Sequence, residues 1–132
     1  MKGYNQNIEE LTVENNNFRK VVYTGKHTQL VLMSLAPGEE IGEEIHAESD
    51  QFFRFEKGEG KLVIDGNESR VLDGSAVIVP AGSSHNVINT SAQHPLKLYT
   101  LYSPPHHKDG ISRETKQQAE SQEEEFDGKT TE

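Results

Sequence analysis

The stretch GSAVIVPAGSSHNVIN, Gly74 to Asn89, decides how this chain is read. Ala76–Val79 is a short β-branched run and reads as a strand. Pro80 ends it, since proline cannot donate to a strand ladder. Pro80 and Gly82 together make a tight corner. His85 opens the next run, His85–Thr90. Gly74 supplies the turn that precedes the whole unit. Outward from this unit lie Phe18–Thr24, Thr28–Leu35, Gln51–Glu56, Lys61–Asp65, Glu68–Leu72 and Leu96–Tyr102, all short runs rich in β-branched and aromatic residues. Short strands at this spacing predict a sandwich or barrel, not βαβ units. Asp65-Gly66 is a two-residue hairpin signal, Asp73-Gly74 repeats the device, and Pro37-Gly38 ends another strand.

The flanks are different in kind. Residues 1–17 are Asn- and Glu-rich and read as an irregular lead-in, with one short helical turn near Ile8–Leu11. Residues 18–105 hold the strands and form the body. Residues 106–132 hold four Lys or Arg and eight Asp or Glu, with Ile111, Ala119 and Phe126 almost alone as apolar residues. Ser112–Glu125 is the helical candidate of this acidic tail, with a Thr115-x-x-Gln118 cap and no apolar stripe. It reads as a solvated or frayed segment, partly helical or disordered. The alternative is a lid or an arm packed on a partner subunit.

Composition excludes several classes. A chain of 132 residues is one domain's worth. The net charge of −9, without a basic stripe, makes a poor nucleic-acid binder and disfavours anionic membranes. No apolar run is long enough to span a bilayer. Met1–Glu10 lacks the apolar segment of a secretory signal. Cysteine is absent, which excludes disulfides and thiolate metal sites. A cytoplasmic protein with a small-molecule ligand is the expectation.

The spacing of Gly74, Pro80, Gly82, His85 and Asn89 is that of the second motif of the cupin superfamily, which the chain resembles over about residues 30–102. The first cupin motif reads Gly, five residues, His, x, His, three or four residues, Glu, six residues, Gly. Gly38, Glu44, His46, Gln51 and Gly58 keep all of these spacings. Glu44 stands where a histidine is usual, and Gln51 where a glutamate is usual. The resemblance implies a double-stranded β-helix, the cupin jelly-roll barrel, holding one divalent metal ion. It also implies a homodimer. The chain resembles small single-domain, phosphomannose-isomerase-like cupins, and that resemblance implies a sugar or hydroxy-carbonyl substrate.

The altered motif still offers ligands. Glu44 and His46, two residues apart on a strand, share a face with about 6–7 Å between them. His85 comes from the other sheet. Gln51 opens its strand so that Phe53 and Phe55 also turn inward, as an apolar wall of the pocket. Glu44, His46, Gln51 and His85 carry one negative charge together, as three histidines and a glutamate do. Imidazole and carboxylate ligands suit Zn, Mn, Fe, Co or Ni. Four alternatives stay open: Glu44 as one more surface acid, Gln51 as an uncoordinated pocket residue, Asp50 as ligand in its place, and His46 and His85 as core histidines.

Three functions follow. The first is a metalloenzyme, isomerase- or lyase-like, whose ion acts as a Lewis acid on a small sugar-like or hydroxy-carbonyl metabolite. Its base would be Glu44, if not a ligand, or His107, reaching back from Ser103-Pro104-Pro105-His106-His107 over the mouth. The other histidines, His106 included, read as surface. The second is an Fe(II)-dependent dioxygenase using Glu44, His46 and His85. The third is a binding module without catalysis. The edge of Phe18–Thr24 carries unpaired backbone groups, and a second copy of the chain is the expected cover.

Overall fold

The computed structural model describes residues 1–132. Ten strands form two antiparallel sheets. In chain order they are β1 (Arg19–Thr24), β2 (Gln29–Leu35), β3 (Glu44–Ile45), β4 (Asp50–Lys57), β5 (Gly60–Ile64), β6 (Asn67–Val71), β7 (Ala76–Val79), β8 (Ser84–Asn89), β9 (Leu96–Ser103) and β10 (Ser112–Arg113). The larger sheet runs β10-β1-β2-β9-β4-β7 and the smaller one β3-β8-β5-β6. This is the double-stranded β-helix. Each of the eight predicted strands forms within a residue or two of its expected bounds. The two-residue strands β3 and β10 carry too short a pattern to be read in advance.

The turns act as their chemistry dictates. Asp65 and Gly66 adopt positive φ, 47° and 81°, and close the β5–β6 hairpin at Ile64↔Asn67. Gly74 also has positive φ, at 88°, but the strands it joins do not pair. Its turn moves the chain from the small sheet to the large one. Pro80–Ser83 makes the return, with Ser83 N–H donating to Pro80 O at 3.1 Å.

Alternation along the strands fills the space between the sheets. Val31, Met33 and Leu35 of β2, Phe53 and Phe55 of β4, Leu62 of β5, Val87 of β8, and Leu96 and Leu98 of β9 are all buried there. Each such side chain contributes about 1.5–3 kcal/mol. A helix, α1 (Ile8–Glu14), is longer than the single turn expected. Asn7 caps it by accepting from Glu10 N–H at 3.1 Å, and it lies against β9, β4 and β2.

The tail departs most from expectation. Ile111 and Ala119 enter the core, β10 pairs with β1, and Thr131 N–H donates to Thr24 O at 2.9 Å. The short helix α2 (Lys116–Ser121) starts at Thr115, whose hydroxyl accepts from Gln118 N–H as the cap motif predicts. The few apolar residues of the tail are its anchors, so an amphipathic stripe is not required. The open edge of β1 is therefore covered by the chain itself, and the argument from that edge to a second copy falls away.

Candidate metal centre

β3 and β8 pair so that Glu44 lies opposite His85. His46 follows one residue after β3. The three side chains turn into the same end of the barrel. One ligand atom from each of Glu44, His46 and His85 lies within 4.8 Å of the others. Ligand atoms around a single zinc-like ion lie about 3–4 Å apart, so a small contraction completes the set.

The protonation of the site follows from its hydrogen bonds. His46 Nε2–H donates to Glu44 Oε2 at 3.0 Å. Burial pushes the Glu44 carboxyl up, but the hydrogen bond from His46 and the neighbouring His46, Arg19 and His85 groups outweigh it, and the net displacement is downward. Glu44 is thus an anion. His85 Nδ1 lies 3.1 Å from Ser83 O, and because a carbonyl only accepts, Nδ1 carries the proton. His85 Nε2 is then a bare lone pair, buried and without a partner. Burial also lowers the His85 pKa, which keeps the ring neutral. A neutral imidazole oriented by Nδ1–H to a backbone carbonyl is the usual state of a metal-ligating histidine.

Gln51 faces the triad's end of the barrel from β4, paired with Tyr102 and 2% exposed. Its Nε2 donates to Thr100 Oγ1 at 2.9 Å, which leaves Oε1 buried with no partner. Two acceptors without donors, His85 Nε2 and Gln51 Oε1, fit a cation better than they fit an empty barrel, where each costs about 1–3 kcal/mol. Asp50, the alternative to Gln51, is exposed and accepts from Ala81 N–H at 2.9 Å, so it braces the corner and lies outside the cluster. No bulge shifts the start of β4. Phe53 and Phe55 are fully buried and stacked, with centroids 6.2 Å apart. Phe53 borders the site, 6.1 Å from the His85 ring. Phe55 lies one pleat deeper, in the core.

His107 folds back as expected, but inward rather than over the mouth. Gln29 clamps its backbone, donating from Nε2 to His107 O at 2.6 Å and accepting from His107 N–H at 2.9 Å. Its ring meets Tyr102, with His107 Nε2 3.3 Å from the hydroxyl. Burial first, and then the Arg19 charge, push its pKa down to about 2. The mouth position goes to His106, whose ring centroid is 4.4 Å from that of His46. Burial likewise lowers the His106 pKa. A cleft of about 490 Å³ opens here, lined by Ile45, His46, Ser49, Pro105, His106 and the tail residue Phe126. A Pro-Pro-His-His segment has no period from which to choose which histidine turns out.

A family model described as the cupin domain matches residues 31–102, which hold the triad. The chain belongs to the cupin family. It is 48% identical over 124 residues to the uncharacterized protein YrkC of Bacillus subtilis (strain 168), covering 89% of this chain and 66% of YrkC. It therefore spans just under two thirds of that relative. It is 43% identical over 110 residues to the uncharacterized protein L612 of Acanthamoeba polyphaga mimivirus, covering 81% of this chain and 69% of L612. The crystal structure of BH2720 from Bacillus halodurans is similar with a TM-score of 0.89 at 42% identity, covering 91% of this cupin and 95% of that chain. No helix of this cupin is long and apolar enough to cross a membrane.

Proposed function

We propose that this cupin is a metal-dependent enzyme acting on a small sugar-like or hydroxy-carbonyl metabolite. The observation that carries the reading is the buried, unpartnered Nε2 lone pair of His85, facing the Glu44 and His46 donors. A bound divalent ion would supply Lewis-acid polarisation of a substrate oxygen. Glu44, His46 and His85 would hold it, with Gln51 Oε1 as a fourth donor from the other sheet. Phe53 keeps water from one side. His106, neutral and on the cleft, is placed to take a proton from a substrate carbon. His107, held against Tyr102, steadies that wall, and Glu44 remains the base if it does not ligate. Two histidines with one carboxylate are also the donor set of Fe(II) oxygenases, which makes a dioxygenase the second reading.

Protein purified without chelator should contain stoichiometric divalent metal by elemental analysis, and His85→Leu should lose it. Anaerobic incubation in D₂O with hydroxy-aldehydes and hydroxy-ketones should then exchange the hydrogen next to the carbonyl, read by NMR. Oxygen uptake that depends on Fe(II) would move the assignment to the dioxygenase. Metal-free protein that takes up none of Zn, Mn, Fe, Co or Ni would overturn both.

A further inference from the structure

The cleft beside His46 and His106 has one wall that comes from the tail. Glu124–Phe126 runs antiparallel to His106–Lys108, joined by two main-chain bonds. Lys108 N–H donates to Glu124 O and Phe126 N–H to His106 O, each at 3.0 Å. Arg113 holds the approach to this segment, donating from Nη2 to Gln122 O at 2.8 Å and to Glu124 Oε2 at 2.7 Å. From inside the barrel, Gln29 Oε1 accepts from His106 N–H at 3.2 Å and from His107 N–H at 2.9 Å. The tail wall is therefore fixed to the barrel through His106 and His107. Residues opposite each other across an antiparallel pair project to one side, which sets Phe126 beside His106. Both line the cleft.

The lining says what the cleft takes. At about 490 Å³ it holds a ligand that extends well past the donors of the ion. Beyond His46 much of its surface is apolar, from Ile45, Pro104, Pro105 and Phe126. Ile45 is 62% exposed and Phe126 is half-buried, so both keep apolar surface that a ligand can cover. The charged side chains of the cleft are Glu48 and Glu125, both exposed, and no lysine or arginine lines it. An anion entering here meets two carboxylates, on a chain of net charge −9. We propose that Phe126 is a specificity-determining residue of this site, and that the ligand is an uncharged hydroxy-carbonyl compound whose apolar flank lies against it. The inference deepens the metalloenzyme reading and rests on it for the other contact, a ligand oxygen at the ion.

The test is an NMR titration of the whole chain, EDTA-treated and Zn-loaded, with hydroxyacetone, α-hydroxyacetophenone and the para-carboxylate of the latter. The second probe replaces the methyl group of the first by a phenyl ring, and the third adds a negative charge to that ring. α-Hydroxyacetophenone should bind at least about tenfold more tightly than hydroxyacetone, and show NOEs from its ring to Phe126. The preference should hold in both forms of the protein, because the flank does not touch the ion. The para-carboxylate should bind more weakly than its uncharged parent. Phe126→Ala should bring the two uncharged probes within about threefold of one another, and Phe126→Leu should keep part of the preference. The bonds that dock the segment are main-chain bonds, so both variants can retain them, and the Thr131 amide shift reports that they do. An undiminished preference in Phe126→Ala, or ring NOEs elsewhere on the surface, would overturn the inference and leave the metal reading standing where Zn is taken up. A Phe126-dependent preference in a chain that takes up no metal would do the reverse. Tighter binding of the para-carboxylate would overturn the uncharged class. Should Phe126→Ala release the tail, the wild-type NOEs and the smaller preference of Phe126→Leu decide: their absence refutes the assignment.

Discussion

Replacing His85 by leucine separates a metal ligand from a core histidine. Within the chain His85 makes one hydrogen bond, from Nδ1 to Ser83 O. That bond contributes about 1 kcal/mol. Against it stands the buried Nε2 without a partner, which costs about 1–3 kcal/mol. Leucine removes both and fills much of the same volume beside Phe53. Ser83 lies on a half-exposed turn, where its carbonyl can turn to water. Chelated His85→Leu should therefore unfold within about 1–2 kcal/mol of chelated wild type. Metal changes the comparison. An ion at about 100 times its Kd stabilises the native state by about 2.7 kcal/mol. For a domain of this size that raises Tm by about 10 °C. Differential scanning calorimetry of both proteins, with EDTA and with each of Zn, Mn, Fe, Co and Ni, should show this rise in wild type alone. A chelated variant more than about 3 kcal/mol less stable, beside a wild type that no metal shifts, would refute the reasoning and make His85 a structural core residue.

Further outcomes follow from the same geometry. Gln51→Glu restores the carboxylate at the motif's glutamate position, and should tighten Zn binding at least tenfold in chelator competition. It should also lower the stability of the chelated form, because a second carboxylate is then buried near Glu44. Between pH 6.5 and about 5, unfolded His107 takes up a proton that the folded residue, with its pKa pushed down to about 2, does not. The chelated protein should lose stability from this group as pH falls, with a slope that rises towards about 1.4 kcal/mol per pH unit near pH 5, and His107→Gln should remove that share in urea titrations; parallel curves would show that His107 is reached by solvent. Gly60→Ala should lower stability by about 2–4 kcal/mol, since its Cβ would meet Ile88 O at 2.7 Å and Leu96 Cδ2 at 2.9 Å.

Some of this protein is local and some is not, and the residues show where the line falls. The barrel was legible because each strand carries its own period-two pattern and its own stop, as in Ala76–Val79 ending at Pro80. Glu44, His46 and His85 were legible because motif spacing sets both strand face and register. Asp65-Gly66 was legible because only a few residue types tolerate its φ values. The tail was not. A segment with eight acidic residues and no stripe gives no local sign that Ile111 and Ala119 will close the barrel, or that Phe126 will wall the cleft. Nor does sequence alone choose between His106 and His107. That choice belongs to Gln29, 78 residues from His107, whose side-chain amide clamps the backbone there. The unpartnered state of His85 Nε2 and Gln51 Oε1 is likewise a property of the closed barrel. The sequence by itself determined which groups point inward. Only the tertiary structure decided which of them are left without partners, because satisfaction depends on every neighbour brought in from elsewhere along the chain.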